Sequence, residues 1–283
     1  MTRVLLIGGA GQLGTAIARQ WTDWEISAPP HQELELCDAS ALRGAIEHLR
    51  PDVLVNAAAF HDVDRCEDQP QQAFAVNAIA AGSAAALARD CDVAFVTIST
   101  DYVFEGTASE PYPEDAAPHP ISVYGVSKLA GEYMVECFDA RALVVRTCGL
   151  YGTTALRKRT PLIERVLEWK AGDSPLQVVA DVVASPTFAG HLADALRRLI
   201  LSESRGLYHA VDSGPVSWCD FAKEVVRASG RDVPVEPIDA AQWRSRAKRP
   251  RFSALQNAKL RRRGIEMPRW QDGIAAYLAS RLR

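Results

Sequence analysis

The chain has 283 residues, of which 48% are hydrophobic and 24% charged, with a net charge of -3. That length is enough for a buried core and a second, smaller domain, and that balance excludes a disordered chain and a general nucleic-acid binder. The six cysteines form no C-x-x-C pair or zinc-type cluster, and no apolar run reaches the length of about 18 residues that a membrane span needs, so the reading is a cytoplasmic protein with reduced thiols and no membrane partner.

The first apolar run, 4–7, is short and β-branched, and it opens the predicted sheet. Similar runs follow at 53–55, 93–98 and 143–145, read as buried parallel strands. Between them, 12–21, 39–49, 71–89 and 124–137 are each long enough for a crossover helix. Strand and helix alternating in this way predict a doubly wound parallel α/β sheet. Residues 1–18 have the apolar character of a short signal peptide, but glycines break its centre and fit the sheet better.

Beyond about residue 150 the pattern loosens. Helices are predicted at 161–170, 188–201, 219–228 and 270–282, with apolar runs at 176–179 and 207–211. The expected organisation is a dinucleotide-binding domain over 1–150 and a smaller mixed α/β substrate domain over 151–283; whether segments around 180–205 return to the sheet stays open. The basic stretch 244–263 reads equally as a solvated surface or as an anion site.

Gly8-Gly9-Ala10-Gly11-Gln12-Leu13-Gly14 follows the first strand and opens the first helix. Glycines there let the backbone approach a diphosphate, whose charge meets free amides and the positive helix end, so Gly8, Gly11, Gln12, Leu13 and Gly14 are expected against a dinucleotide. Glycines serving only close packing are the alternative. The second strand exits through Ser27-Ala28-Pro29-Pro30-His31 with no acid to hold a ribose 2′-hydroxyl, which favours NADPH, with NADH as the alternative. Asp38 is read as facing the adenine, as the N-cap of the helix beginning at Ala39, or both.

The run 93–98 leads into Ser99-Thr100-Asp101-Tyr102, at the strand end where open α/β sheets bind ligands. Capping of a turn is the other reading of Ser99 and Thr100. Tyr124 and Lys128 follow at i and i+4 of one helix, sharing a face. A nearby ammonium is expected to lower the phenol pKa and ease proton exchange. Alone, that spacing describes any solvated pair; glycine turn, strand-end Ser-Thr and Tyr-x-x-x-Lys in this order make it a candidate proton-transfer site.

This ordered set resembles the extended short-chain dehydrogenase/reductases, whose nucleotide-binding domain is of the Rossmann type. More narrowly, Asn56-Ala57-Ala58-Ala59, Ser99-Thr100-Asp101-Tyr102-Val103-Phe104-Glu105-Gly106, Val123-Tyr124-Gly125-Val126-Ser127-Lys128-Leu129-Ala130-Gly131-Glu132, Ser185-Pro186-Thr187 and Arg249-Pro250-Arg251-Phe252-Ser253-Ala254-Leu255 resemble the dTDP-4-dehydrorhamnose reductase family over nearly the whole chain. The resemblance implies a reductase of a nucleotide-linked 4-keto-6-deoxy sugar, in which Tyr124 protonates the carbonyl oxygen and Thr100 hydrogen-bonds it. It implies that Lys128 holds the nicotinamide ribose, that Ala57, Ala58 and Ala59 border the cofactor and that Asn77 supports the site. It also places Ser99, Asp101, Tyr102 and Gly149 against the sugar, and it makes Arg249 and Arg251 candidates for gripping the substrate diphosphate. A homodimer is a further expectation.

Two departures fall on the substrate side. Where the family has Ser-Trp after Arg-Thr, this chain has Cys148-Gly149, and Asp181-Val182-Val183 replaces Asp-Gln-x-Gly. Two alternative functions stay open: an epimerase or dehydratase that retains NAD⁺, although Asp101-Tyr102 replaces the dehydratase Asp-Glu, and a non-catalytic NADP-binding subunit resembling that of methionine adenosyltransferase.

Overall fold

The computed structural model describes residues 1–153 and 161–281. Its strands are β1 (Arg3–Ile7), β2 (Glu25–Ser27), β3 (Val53–Asn56), β4 (Ala94–Thr100), β5 (Leu143–Thr147), β6 (Leu176–Val179), β7 (Val183–Ala184), β8 (Gly206–His209), β9 (Val216–Ser217) and β10 (Val235–Ile238). The predicted strand at 207–211 thus begins and ends earlier, and β7, β9 and β10 are too short or too polar to stand out in the sequence. Six strands form one sheet in the order β2-β1-β3-β4-β5-β8. Each adjacent pair is parallel. The strand order reverses between β1 and β3, and that switch point is where an open α/β sheet offers its crevice.

Both faces of the sheet are covered, which is why its strands read as continuous apolar runs rather than alternating ones. Val4 and Leu6 point into one core layer with Ile17, Trp21, Leu192 and Leu196, while Leu5 and Ile7 point into the other with Leu42, Ile46, Ala84 and Ala85. Each such valine, leucine or isoleucine side chain, fully buried, contributes about 1.5–3 kcal/mol. The first layer is built by α1 (Gln12–Gln20) and α8 (Ala189–Leu201), tied by the Trp21 indole N–H donating to the Ala193 carbonyl at 3.1 Å. The second contains α2 (Ala39–Leu49), α5 (Ala81–Asp90) and α6 (Val123–Phe138). β8 is the last strand of the sheet, beside β5, and α8 lies in its first covering layer.

The helix predicted at 71–89 is three pieces: α4 (Pro70–Phe74), a π-helical turn (Ala75–Ala80) and α5; a short α3 (Val63–Asp68) precedes them. Apolar periodicity alone does not register such a widened turn, which is frequent near functional sites. The remaining helices are α7 (Leu162–Glu168), α9 (Trp218–Ser229), α10 (Ala258–Arg262) and α11 (Trp270–Arg281); the predicted end of the last at residue 282 lies outside the described residues. A separate cluster around Ile163, Val166, Phe221, Val225, Ile274 and Tyr277 gives the later segments their own core. Among the described residues no helix is long and apolar enough to cross a membrane.

Candidate active site

The turn from β1 to α1 is shaped by Gly8, whose φ of 85° lies in the left-handed region; a Cβ there would also stand 2.8 Å from the Ala57 carbonyl carbon and the Ala58 nitrogen. The ends of β1 and β3 therefore meet backbone to backbone at the switch point. Gly11 donates to the Gly8 carbonyl at 3.0 Å and caps α1 without a side-chain hydrogen bond, and the first turn of α1 carries no acid. Amides of that turn, with the positive helix end behind them, suit a diphosphate. Leu13 points into the core, leaving only its backbone to face the turn. Asp38 is exposed and accepts from the Ala41 amide at 2.9 Å, the capping role.

Ala57, Ala58 and Ala59 are half-buried beyond β3. Their segment is held by Asn77, 2% exposed within the π-helical turn: its Oδ1 accepts from the Phe60 amide at 2.8 Å, and its Nδ2 donates to the Phe60 carbonyl and to Ser127 Oγ, both at 3.0 Å. Ser127 in turn donates to the Tyr124 carbonyl at 2.8 Å. With its carboxamide so engaged, Asn77 joins the loop after β3 to α6.

Helix α6 begins at Ser122, whose hydroxyl accepts from the Gly125 amide at 3.2 Å. Its first turn packs on the backbone of Tyr102, bringing the Tyr102 and Tyr124 rings edge to face at 5.7 Å. Thr100 faces the Tyr124 hydroxyl, and its Oγ accepts from the Tyr102 amide at 3.2 Å. Burial holds the Tyr124 phenol above its ordinary value; the Thr100 hydroxyl works against this, and the Asp101 carboxyl adds to it. Tyr102 is shifted upward in the same way, by burial first and Asp101 next.

This corrects the lowering of the Tyr124 pKa expected from Lys128. The Lys128 ammonium donates to the Ile98 carbonyl at 2.7 Å, and desolvation, which outweighs the nearby Glu132 carboxylate, lowers Lys128 itself to about 8. Its folded pKa lies below its unfolded value, so the stability penalty of burying this cation is fully present below about pH 8 and fades as pH rises toward the unfolded value. The Lys128→Met variant is therefore expected to melt no lower than the parent at pH 7 while losing turnover. Thermal unfolding of both proteins at pH 7 and 9.5 checks this, and a lower melting temperature for the variant at pH 7 would contradict it.

Ser99 and Asp101, expected at the substrate, are placed elsewhere. Ser99 is 4% exposed and donates to Glu132, because neighbouring residues of a strand point to opposite faces. Glu132 in turn receives Arg146 through Nε at 2.8 Å and Nη2 at 2.6 Å. Asp101 is 3% exposed and lies behind Thr100, which donates to it at 3.1 Å. Glu132 was legible in principle: it continues the Tyr124, Lys128 series by another four residues along one helix face.

Arg249 is likewise engaged. It grips Asp64 with Nη1 at 3.3 Å and Nη2 at 3.0 Å. Burial alone would raise the Asp64 carboxyl, but the Ala247 amide, Arg249 and Ser245 pointing at it bring it down to about 2. Arg251 is 69% exposed with Asp181 no nearer than 3.7 Å, and Arg246 pairs with Asp68 at 2.6 Å. Arg246 and Arg249 of the basic stretch are thus fastened to acids, and Arg251 is far more exposed than Arg249.

Gly149 has a φ of 51°, and a Cβ on it would stand 2.7 Å from the Trp218 ring. The half-buried indole of Trp218, at the start of α9, fills the space beside this glycine. Nothing in the spacing of residues 149 and 218 announces this contact, since it depends on how the two parts of the chain pack.

The family described as "RmlD substrate binding domain" matches residues 1–282. The dTDP-4-dehydrorhamnose reductase of Sinorhizobium fredii is 35% identical, covering 95% of this chain and 94% of that protein. The spore coat polysaccharide biosynthesis protein SpsK of Bacillus subtilis is 32% identical over 99% and 98%. A crystal structure of dTDP-4-dehydrorhamnose reductase from Bacillus anthracis in complex with NADP superposes with a TM-score of 0.92 at 31% identity, covering 99% of this chain and 100% of that one.

Proposed function

The chain belongs to the RmlD substrate-binding-domain family, which includes dTDP-4-dehydrorhamnose reductases, and from that premise we propose that it is an NADPH-dependent reductase of a nucleotide-linked 4-keto-6-deoxy sugar. The observation that carries the reading is that α6 brings Tyr124 and Lys128 to the carboxyl end of β4, Tyr124 facing Thr100 and Lys128 on the Ile98 carbonyl, on the same rim of the sheet as the glycine turn. When bound at that turn, NADPH supplies a hydride to the carbonyl carbon of the sugar. Tyr124 gives its proton to the carbonyl oxygen, and its raised pKa keeps the phenol protonated for that task. Lys128, whose ammonium carries three protons, keeps one on Ile98 and offers the others to the nicotinamide ribose. Ala57, Ala58 and Ala59 border the nicotinamide side, and the acid-free exit of β2 accommodates a 2′-phosphate.

Residues 1–150, completed by α8 and β8, are assigned to the cofactor, and the rest of 151–283 mainly to the nucleotide sugar. Tyr102, Arg251 and Trp218 are the proposed contacts on that side, Trp218 supplying an aromatic wall beside Gly149. Trp218→Ala is expected to raise KM for the sugar nucleotide about tenfold, the loss of one stacked aromatic contact, with NADPH affinity unchanged. Steady-state kinetics with varied sugar nucleotide checks this, and an unaltered KM would remove Trp218 from the site. The reading as a whole is tested by NADPH oxidation with a panel of dTDP- and other nucleotide-linked 4-keto sugars. Tight NADPH binding with no turnover of any of them would overturn it.

Action in the cytoplasm is proposed on the six free thiols. A homodimer is proposed on the exposed apolar side chains Ile79, Val126, Tyr133 and Phe138 of the π-helical turn and α6. Sedimentation velocity showing only monomer at micromolar concentration would exclude that assembly.

A further inference from the structure

Behind Thr100 lies a closed set of polar side chains that hydride transfer does not itself require. Asp101, Cys148 and Ser253 are 3%, 2% and 2% exposed. The Asp101 carboxylate accepts from Thr100 Oγ at 3.1 Å and from Cys148 Sγ at 3.1 Å, and the Ser253 hydroxyl faces it. Burial raises the Cys148 thiol well above its ordinary value, with Asp101 adding to the effect, so the sulfur keeps its proton and serves as a donor. Three hydroxyl and thiol groups from three parts of the chain thus surround one buried acid, two of them donating to it.

A threonine hydroxyl has one proton and two lone pairs. While that proton points to Asp101, Thr100 meets Tyr124 only as an acceptor. After Tyr124 has given its proton to the substrate oxygen, the phenolate needs a donor, and Thr100 is the hydroxyl already facing it. Turning the Thr100 proton towards Tyr124 deprives Asp101 of one donor, and a buried carboxylate left short of donors is costly. Cys148 and Ser253 keep it supplied.

We propose that Asp101, held by Cys148 and Ser253, is a positioning group that sets the direction of the Thr100 hydroxyl: acceptor for Tyr124 before proton transfer, donor to its phenolate afterwards. The inference rests on Tyr124 being the proton donor. In the step itself the Tyr124 O–H bond breaks and an O–H bond forms on the substrate oxygen, while the Thr100 O–H and Cys148 S–H bonds stay intact and only turn. The titratable and charged groups facing this set are Tyr102 and Tyr124, with Cys66 near Tyr124 and Arg249 lying beyond Tyr102.

The test compares Cys148→Ala, Cys148→Ser and Tyr124→Phe by kcat, KM and the pH profile of kcat, with NADPH binding as the check that each is folded. Without the thiol donor, Asp101 holds the Thr100 proton more tightly and the phenolate is less stabilised. Cys148→Ala should therefore lower kcat about tenfold, leave KM within about twofold and move the Tyr124 limb of the profile to higher pH, with Cys148→Ser restoring all three. Wild-type kcat and profile in Cys148→Ala, or a loss that serine fails to restore, would overturn the inference. If Cys148→Ala does not fold, Ser253→Ala removes the other group facing Asp101 and must show the same split between kcat and KM. Full activity in Tyr124→Phe would instead bring down the reading of the site, whereas an inactive Tyr124→Phe beside an unaltered Cys148→Ala brings down this inference alone.

Discussion

Replacing Tyr124 by phenylalanine is expected to lower kcat by about 10²–10⁴-fold, the range that general acid catalysis contributes, with NADPH affinity near that of the parent. Only the hydroxyl facing Thr100 is removed; the ring that meets Tyr102 edge to face at 5.7 Å remains. The effect should fall on kcat rather than KM, because the proton moves only as the carbonyl is reduced. Stopped-flow NADPH oxidation with saturating sugar nucleotide, beside a fluorescence titration with NADPH, separates the two. A variant within threefold of the parent would mean that the proton comes from another group.

The second large effect is on stability. Arg146 and Glu132, 3% and 8% exposed, form a two-pronged pair between β5 and α6, and the guanidinium also lies 5.2 Å from the centre of the Phe104 ring. Arg146→Leu leaves Glu132 in the interior with Ser99 and the neighbouring Lys128, and is expected to cost about 3–5 kcal/mol. Adding Glu132→Leu should recover a large part, since replacing a buried pair by apolar groups is often neutral. Urea unfolding of both single variants and the double variant measures the coupling. A cost below about 1 kcal/mol for Arg146→Leu would contradict a tightly coupled buried pair.

The sheet was legible because both of its faces are buried: runs such as that in β4 read as strands without help from periodicity, and Gly8–Gly14 marked the first strand-to-helix turn. Tyr124, Lys128 and Thr100 were legible from order and spacing along the chain. The π-helical turn around Asn77 was not, because its cause is a set of hydrogen bonds to Phe60 and Ser127 rather than a pattern within the helix. The same holds for direction along β4: sequence places Ser99, Thr100 and Asp101 together, but the pleat sends Ser99 to Glu132 and local backbone geometry turns Asp101 behind Thr100. Charge was misleading in two places. Arg249 is neutralised by Asp64, 185 residues earlier, and desolvation, which no pattern displays, dominates both Tyr124 and Lys128.

The central claim is that a hydride passes from NADPH to the carbonyl carbon of a bound 4-keto sugar, with Tyr124 supplying the proton. It is tested most directly by turnover with NADPH dideuterated at nicotinamide C4 and analysis of the sugar product by mass spectrometry and NMR. One deuterium at C4 per NADPH oxidised, and none with Tyr124→Phe over the same time, is the predicted result. Product formed without deuterium, or deuterium transfer undiminished in Tyr124→Phe, would contradict it.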